Sequence, residues 1–294
     1  MGERENRSAA HAQSDERGGA QSRAQRNDPK KFRAARVVVW RNAGDAFSTE
    51  KMTLFWHNHF ATSQKKVRYP QLMYRQNVLF RRHGLGNFAT MLREVARDPA
   101  MIVFLDSATN RKGQPNENFA RELMELFTLG EGHYSERDVK EAARAFTGWS
   151  IEPETGEFRF QRFQHDGGVK TVLSNTGNLN GDDVLDILLA HPRTAEFITE
   201  KLWREFVSPE PEADEVKRLA RAFRQSGYDI SALMRELMTL NAFYASENRA
   251  ALIKSPVELM VGTMKLFDIE FKNPRPDRDG GGFSSARISF RLRM

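Results

Sequence analysis

Apolar side chains recur every three to four residues along most of this chain, and each such run reads as a helix. Over residues 48–61, Met52, Phe55, Trp56, His59 and Phe60 follow the i, i+3, i+4, i+7, i+8 rule, with Ser48 or Thr49 as N-cap. The same period predicts helices at 70–82, 86–97, 99–105, 181–190, 192–207, 212–226, 230–243 and 255–267, with Pro192 in a first turn and Ser255 as an N-cap. Residues 150–175 change character. Phe158, Phe160 and Phe163 stand among Arg and Gln, and Thr155-Gly156 and Gly167-Gly168 mark turns, so a small hairpin is expected at about 157–173. The fold class is therefore mainly α, a multi-helix globular bundle with one small β-hairpin insertion and disordered tails.

One stretch is ordered on both of its faces. Read as a helix, 117–129 places Phe119, Ala120, Leu123, Met124, Leu126 and Phe127 on one side and Glu117, Asn118, Arg121, Glu122, Glu125 and Thr128 on the other. Glu117 with Arg121, and Arg121 with Glu125, are (i, i+4) pairs, while Glu122 and Glu125 are (i, i+3) neighbours. Such a row can be a solvated face with one Arg bridged by two carboxylates. That is the simplest reading; the row can also face a cleft, because (i, i+3) carboxylates can converge on one ion or act as an acid/base pair, or it can form a buried structural ion-pair network. Gly130 ends this helix, and Ser135-Glu136-Arg137-Asp138 has the form of a capping box opening a second helix through Val139, Ala142, Ala143 and Phe146.

Residues 1–28 are rich in Ser, Arg, Gln, Gly and Ala without apolar periodicity and read as a disordered tail; 29–267 forms the helical domain, and 268–294 an irregular C-terminal tail. Of the 294 residues, 39% are hydrophobic and 29% charged, as in ordinary globular proteins, and no run is long enough to span a membrane. The N-terminus as written has no apolar signal region. The net charge of +6 does not argue for nucleic acid. Residues 1–46 hold 10 Lys and Arg against 6 Asp and Glu, and 268–294 hold 6 against 4, so 47–267 balance at 29 and 29.

With no cysteine, thiolate nucleophiles and cysteine-ligated metals are excluded, leaving His, Asp and Glu as side-chain ligands for a divalent metal. His57 and His59 have a common ligand spacing, but residues two apart on a helix point about 200° apart. His59 falls with Phe55, Trp56 and Phe60, and His57 on the opposite side. His165-Asp166-Gly167-Gly168 sits on an expected loop, where the two could be ligands, or Asp166 could bond the glycine backbone in a turn. Lys170 nearby could reach an anion or simply be solvated, and His191 before Pro192 reads as a helix-start residue. No nucleophile elbow, P-loop or dinucleotide fingerprint is present.

Two blocks place the chain beside a known family. Asn116 to Gly130 with Ala143-Arg144-Ala145-Phe146-Thr147-Gly148-Trp149, and Lys51-Met52-Thr53-Leu54-Phe55-Trp56-His57-Asn58-His59-Phe60, resemble the bacterial domain of unknown function 1800. Weaker matches lie at His165-Asp166 with Lys170, His191-Pro192 with Lys201-Leu202, and 253–258, so the resemblance runs from about Lys51 to Phe267, with both ends departing from the pattern. It implies a largely helical bacterial protein, often exported and often encoded beside an exported family resembling phosphatases and sulfatases. Two functions are then expected. The first is an interaction partner of such a hydrolase-like protein. The alternative is a metal-dependent hydrolase with Glu122, Glu125, His165, Asp166 and His59 as ligands and Glu117, His57 and Arg121 as catalytic groups.

Overall fold

The computed structural model describes residues 47–267. The tails expected over 1–28 and 268–294, and the ambiguous run Val37 to Trp40, lie outside them. The described residues belong to two compact units, Ser48–Leu252 and a second that includes Phe47 and Ile253–Phe267.

The first unit opens with all of α1 (Phe47–His59) but its first residue, then the single turn α2 (Gln64–Val67), α3 (Pro70–His83), α4 (Phe88–Ala96) and α5 (Pro99–Phe104). The four later starts each have a chemical cause. Ser63, Asn87 and Asp98 cap α2, α4 and α5 through their side chains, and Pro70 and Pro99 sit at first helical positions. Trp56 of α1 and Phe60, which follows its last residue, lie buried against Phe80 and Phe88, with ring centroids 5.8 Å apart for Trp56–Phe60, Phe60–Phe80 and Trp56–Phe88. The Trp56 indole N–H donates to Gly84 O at 2.9 Å, so its polar edge is satisfied inside the core.

The expected signature helix is real but changes pitch. α6 (Asn118–Glu122) runs directly into a π-helical turn over Leu123–Thr128, in which Leu129 N–H donates to Met124 O, five residues back. The wider turn advances each residue by less than 100°. Two side chains consequently change sides: Leu126, expected inside, is 42% exposed, and Thr128, expected outside, is buried and donates its hydroxyl to Leu123 O at 2.6 Å. Gly130 then turns with φ +83°. The capping box is present as expected: Asp138 N–H donates to Ser135 Oγ at 3.2 Å, and Ser135 N–H to the Asp138 carboxylate at 2.9 Å, opening α7 (Glu136–Ala145).

Instead of one hairpin, two antiparallel ribbons follow. β1 (Trp149–Ile151) pairs with β2 (Phe158–Phe160), and β3 (Lys170–Val172) with β4 (Asn175–Gly177). The split occurs because Phe163, though in the alternating run, falls in a 3₁₀ turn over Arg162–Gln164 that takes the chain out of β2. Helices α8 (Gly181–Ala190), α9 (Pro192–Phe206), α10 (Ala213–Gln225) and α11 (Ile230–Thr239) complete the core with Leu188, Trp203, Phe223 and Leu237. The helix expected over 230–243 breaks at Leu240, whose ψ of 145° is extended, leaving α12 (Asn241–Tyr244) as one turn. In the second unit, α13 (Pro256–Leu266) begins at Ser255 through a full capping box with Glu258.

Candidate functional site

The signature charges are largely tied to one another. Arg121 reaches across to α7 and donates to both oxygens of Glu136 at 2.6 and 2.7 Å, while also donating to Glu117 at 3.1 Å. The expected Glu117–Arg121 pair therefore exists, but Glu136, not Glu125, is the second carboxylate. Glu125 lies in the π turn, beyond the point where the winding changes, and accepts instead from the Tyr134 hydroxyl at 2.8 Å. Partial burial and this bond push the Tyr134 phenol up to about 12. The Glu122 carboxyl has no hydrogen-bond partner among the described residues, and its partial burial, with the adjacent Glu125 charge, raises its pKa above the usual carboxylate value.

The histidines part company as helical geometry requires. His59 is buried within reach of the rings of Phe55, Trp56, Phe60, Phe127 and Phe197 and its Nε2 lies 3.1 Å from Phe127 O. A carbonyl only accepts, so Nε2 carries the proton and Nδ1 faces the interior without a partner. Burial, then the Lys201 charge, holds its pKa well below the ordinary histidine value. His57 points to α3, where Asn77 lies 2.8 Å from its Nε2; Asn77 in turn accepts from Arg81, which forks onto the buried carboxylate of Glu50. Phe80 closes edge-on over the His57 ring at 4.7 Å.

A second charged group lies where α7 meets the strand region. Arg144 bridges Glu141 at 2.9 Å and Asp166 at 2.7 Å, and Asp166 also accepts from Gly168 N–H at 2.9 Å, the turn role its sequence suggested. The Arg144 guanidinium, followed by the turn, lowers the Asp166 carboxyl to about 2. His165 keeps Nδ1 within 3.0 Å of Thr147 O, and its ring meets Phe160. Lys170 is not solvated: it is buried, donates to Gly168 O at 2.9 Å, and burial lowers its pKa.

The expected ligands do not assemble. Among the described residues no three of His, Asp and Glu come together as a metal would require. His59 is enclosed by rings and bonded to a backbone carbonyl, Asp166 is committed to Arg144 and the Gly168 amide, and Glu125 to Tyr134. Of the proposed catalytic groups, Glu117 and Arg121 share one ion-pair network while His57 belongs to another.

Two buried acids escaped sequence reasoning. Asp98 accepts from Gln76 at 2.7 Å and from Met101 N–H at 3.0 Å, and Gln76 accepts from the Thr62 hydroxyl at 2.6 Å; burial raises Asp98 to about 7. The Asp-Pro pair announced a helix start, but not that the cap would be interior. Glu50 has no sequence signal at all beyond its place in a first helical turn.

A family model described as a protein of unknown function, DUF1800, matches residues 3–286. The match extends past Lys51 and Phe267 into both ends that had read as departing from the family pattern. No curated protein and no solved structure matches the chain.

Proposed function

The chain belongs to the DUF1800 family of proteins of unknown function, and from that premise we propose that it is a helical interaction protein, a partner of an exported hydrolase-like protein. The observation that carries this reading is a set of large apolar side chains held out from the strand region. Phe163 is wholly exposed, with Phe160 and Val169 also in solvent. An aromatic side chain on a short, hydrogen-bonded turn is an anchor of the kind that dominates protein interfaces. The signature network supports the same reading, because Arg121 joins α6 to α7 through Glu136 and so stiffens the scaffold that carries the strand region. The hydrolase-like identity of the partner rests on the family resemblance. A pull-down with full-length protein is expected to recover the product of a neighbouring hydrolase-like gene; recovery of no specific partner from cells expressing both would sink the proposal.

A second reading is favoured by one observation. Glu122, the last residue of α6, and Glu125, in the π-helical turn that follows, are neighbouring carboxyls at a feature frequent at functional sites, and partial burial with the Glu125 charge raises the Glu122 pKa, the direction a general acid needs. On this reading Glu122→Gln abolishes a hydrolytic activity found by screening ester and phosphoester substrates, with the fold intact. Activity that survives the substitution excludes Glu122 as the acid.

A further inference from the structure

The exposed Phe163 is not alone: the two turns joined at its base carry three exposed cations without carboxylate partners among the described residues. Lys112 N–H donates to Gln164 O at 2.7 Å, which fixes the turn at 111–114 against the 3₁₀ turn that carries Arg162 and Phe163. Arg111, Lys112 and Arg162 are all exposed. Among the described residues none of the three has a carboxylate partner; Arg111 donates only to the neutral amide of Gln114, at 2.9 and 3.3 Å. The nearby acids are already engaged: Asp106 with Lys66, Glu117 with Arg121, and Asp166 with Arg144. The exposed acids Glu154 and Glu157 lie at the turn end of the β1–β2 ribbon, whereas Phe160 is at the opposite end, paired with Trp149. The local charge is thus positive although residues 47–267 are neutral overall.

This surface is also pre-organised. Buried Asn110 ties the base of the 111–114 turn to three places at once: its side chain donates to Ala143 O at 2.8 Å and accepts from Asn116 N–H at 2.9 Å, and its carbonyl accepts from Gly148 N–H at 3.0 Å. A rigid platform gives up little entropy on binding.

We infer that Arg111, Lys112, Arg162 and Phe163 form a docking surface for an acidic segment of a partner protein, with an apolar side chain of that segment packing on Phe163. Charge complementarity selects the acidic class, and the aromatic anchor supplies contact that a bare polyanion would not use. The inference rests on the interaction reading above and refines it.

The test uses full-length protein and a fluorescein-labelled peptide, Glu-Glu-Phe-Glu-Glu-Leu-Glu, followed by anisotropy, beside its Gln-for-Glu counterpart and a labelled oligothymidine. The acidic peptide is expected to bind, at least about tenfold more tightly than the neutral one, and to weaken with added salt. Arg111→Gln/Lys112→Gln/Arg162→Gln and Phe163→Ala are each expected to reduce binding about tenfold or more. Both variants change exposed side chains, so circular dichroism melts should match the wild type. Equal binding of the neutral peptide, no binding of the acidic one, or binding undiminished in the variants overturns the docking surface. Oligothymidine bound as tightly as the acidic peptide, with the same loss in both variants, overturns it in favour of a nucleic acid. The pull-down judges the wider reading separately: a partner recovered equally by wild type and variants leaves the interaction function standing and removes this surface from it.

Discussion

Two aspartates show how position decides the sign of a charge's contribution. Asp166 lies at about 2 in the fold because Arg144 and the Gly168 amide favour its carboxylate, against an ordinary value of 3.8. A lowered folded pKa means stability that is fully present above about pH 4 and lost as the pH falls through about 2. Asp166→Asn is expected to cost about 2 kcal/mol near neutral pH, with the gap to wild type closing on acidification. Asp98 is the reverse case. Burial raises it to about 7, so the fold favours the protonated form, and this contribution is present below about pH 4 and lost as the pH rises through about 7. Asparagine also caps helices and can accept from Gln76. Asp98→Asn should therefore gain on wild type as the pH rises from about 5 to about 8. Urea unfolding across this range checks both substitutions; parallel stability curves for either variant and the wild type would refute the assignment.

At the scale of the element, the contact between α8 and the strand region depends on a missing side chain. A Cβ on Gly181 would meet Trp149 Cζ2 at 2.4 Å and Phe146 Cδ1 at 2.7 Å, and both rings are buried. Gly181→Ala should thus lose about 2–3 kcal/mol through overpacking, although alanine is the better helix former. Gly132→Ala separates this effect from backbone strain, because Gly132 has φ +83° and nothing within 4 Å of an added Cβ. It should cost only about 1–2 kcal/mol. A Gly181→Ala loss no larger than that of Gly132→Ala, read by thermal melt, would refute the overpacking. The π turn carries the same lesson for polar positions. Its change of pitch buries the Thr128 hydroxyl and exposes Leu126, an exchange invisible to any count that assumes 100° per residue.

For the whole molecule, the question is what the charged residues are for. Two of the polar networks centre on α7: Glu117, Arg121 and Glu136 join α6 to it, and Glu141, Arg144 and Asp166 join it to the strand region. Their carboxylates are used in holding the scaffold, and the three-ligand cluster that a metal needs is missing among the described residues. On the interaction reading, dialysis against a chelator is expected to leave the thermal midpoint unchanged. A drop of several degrees, restored by one divalent metal, would instead point to a site built from these side chains and revive the hydrolase.

Helix positions were legible because burying one face of each segment imposes a 3.6-residue period that any reader of the chain can count. The helix starts at Ser135, at His191-Pro192 and at Ser255 were equally local, since a capping bond spans two or three residues and asks nothing of the rest of the fold. The opposite facing of His57 and His59 followed from the same rotation, and family membership from the motif around Asn116 to Trp149. What the sequence could not decide were choices among partners at long range. Arg121 had a carboxylate four residues away on either side and kept Glu117, yet took Glu136 in place of Glu125, because only packing of α7 against α6 brings that group within 2.6 Å. Lys170 and Asp98 look like surface residues by type, and their burial depends on which elements close over them. Arg111, Lys112 and Phe163 lie some fifty residues apart in the chain. A single backbone bond from Lys112 to Gln164 makes them one surface, and tertiary contact alone could put it there.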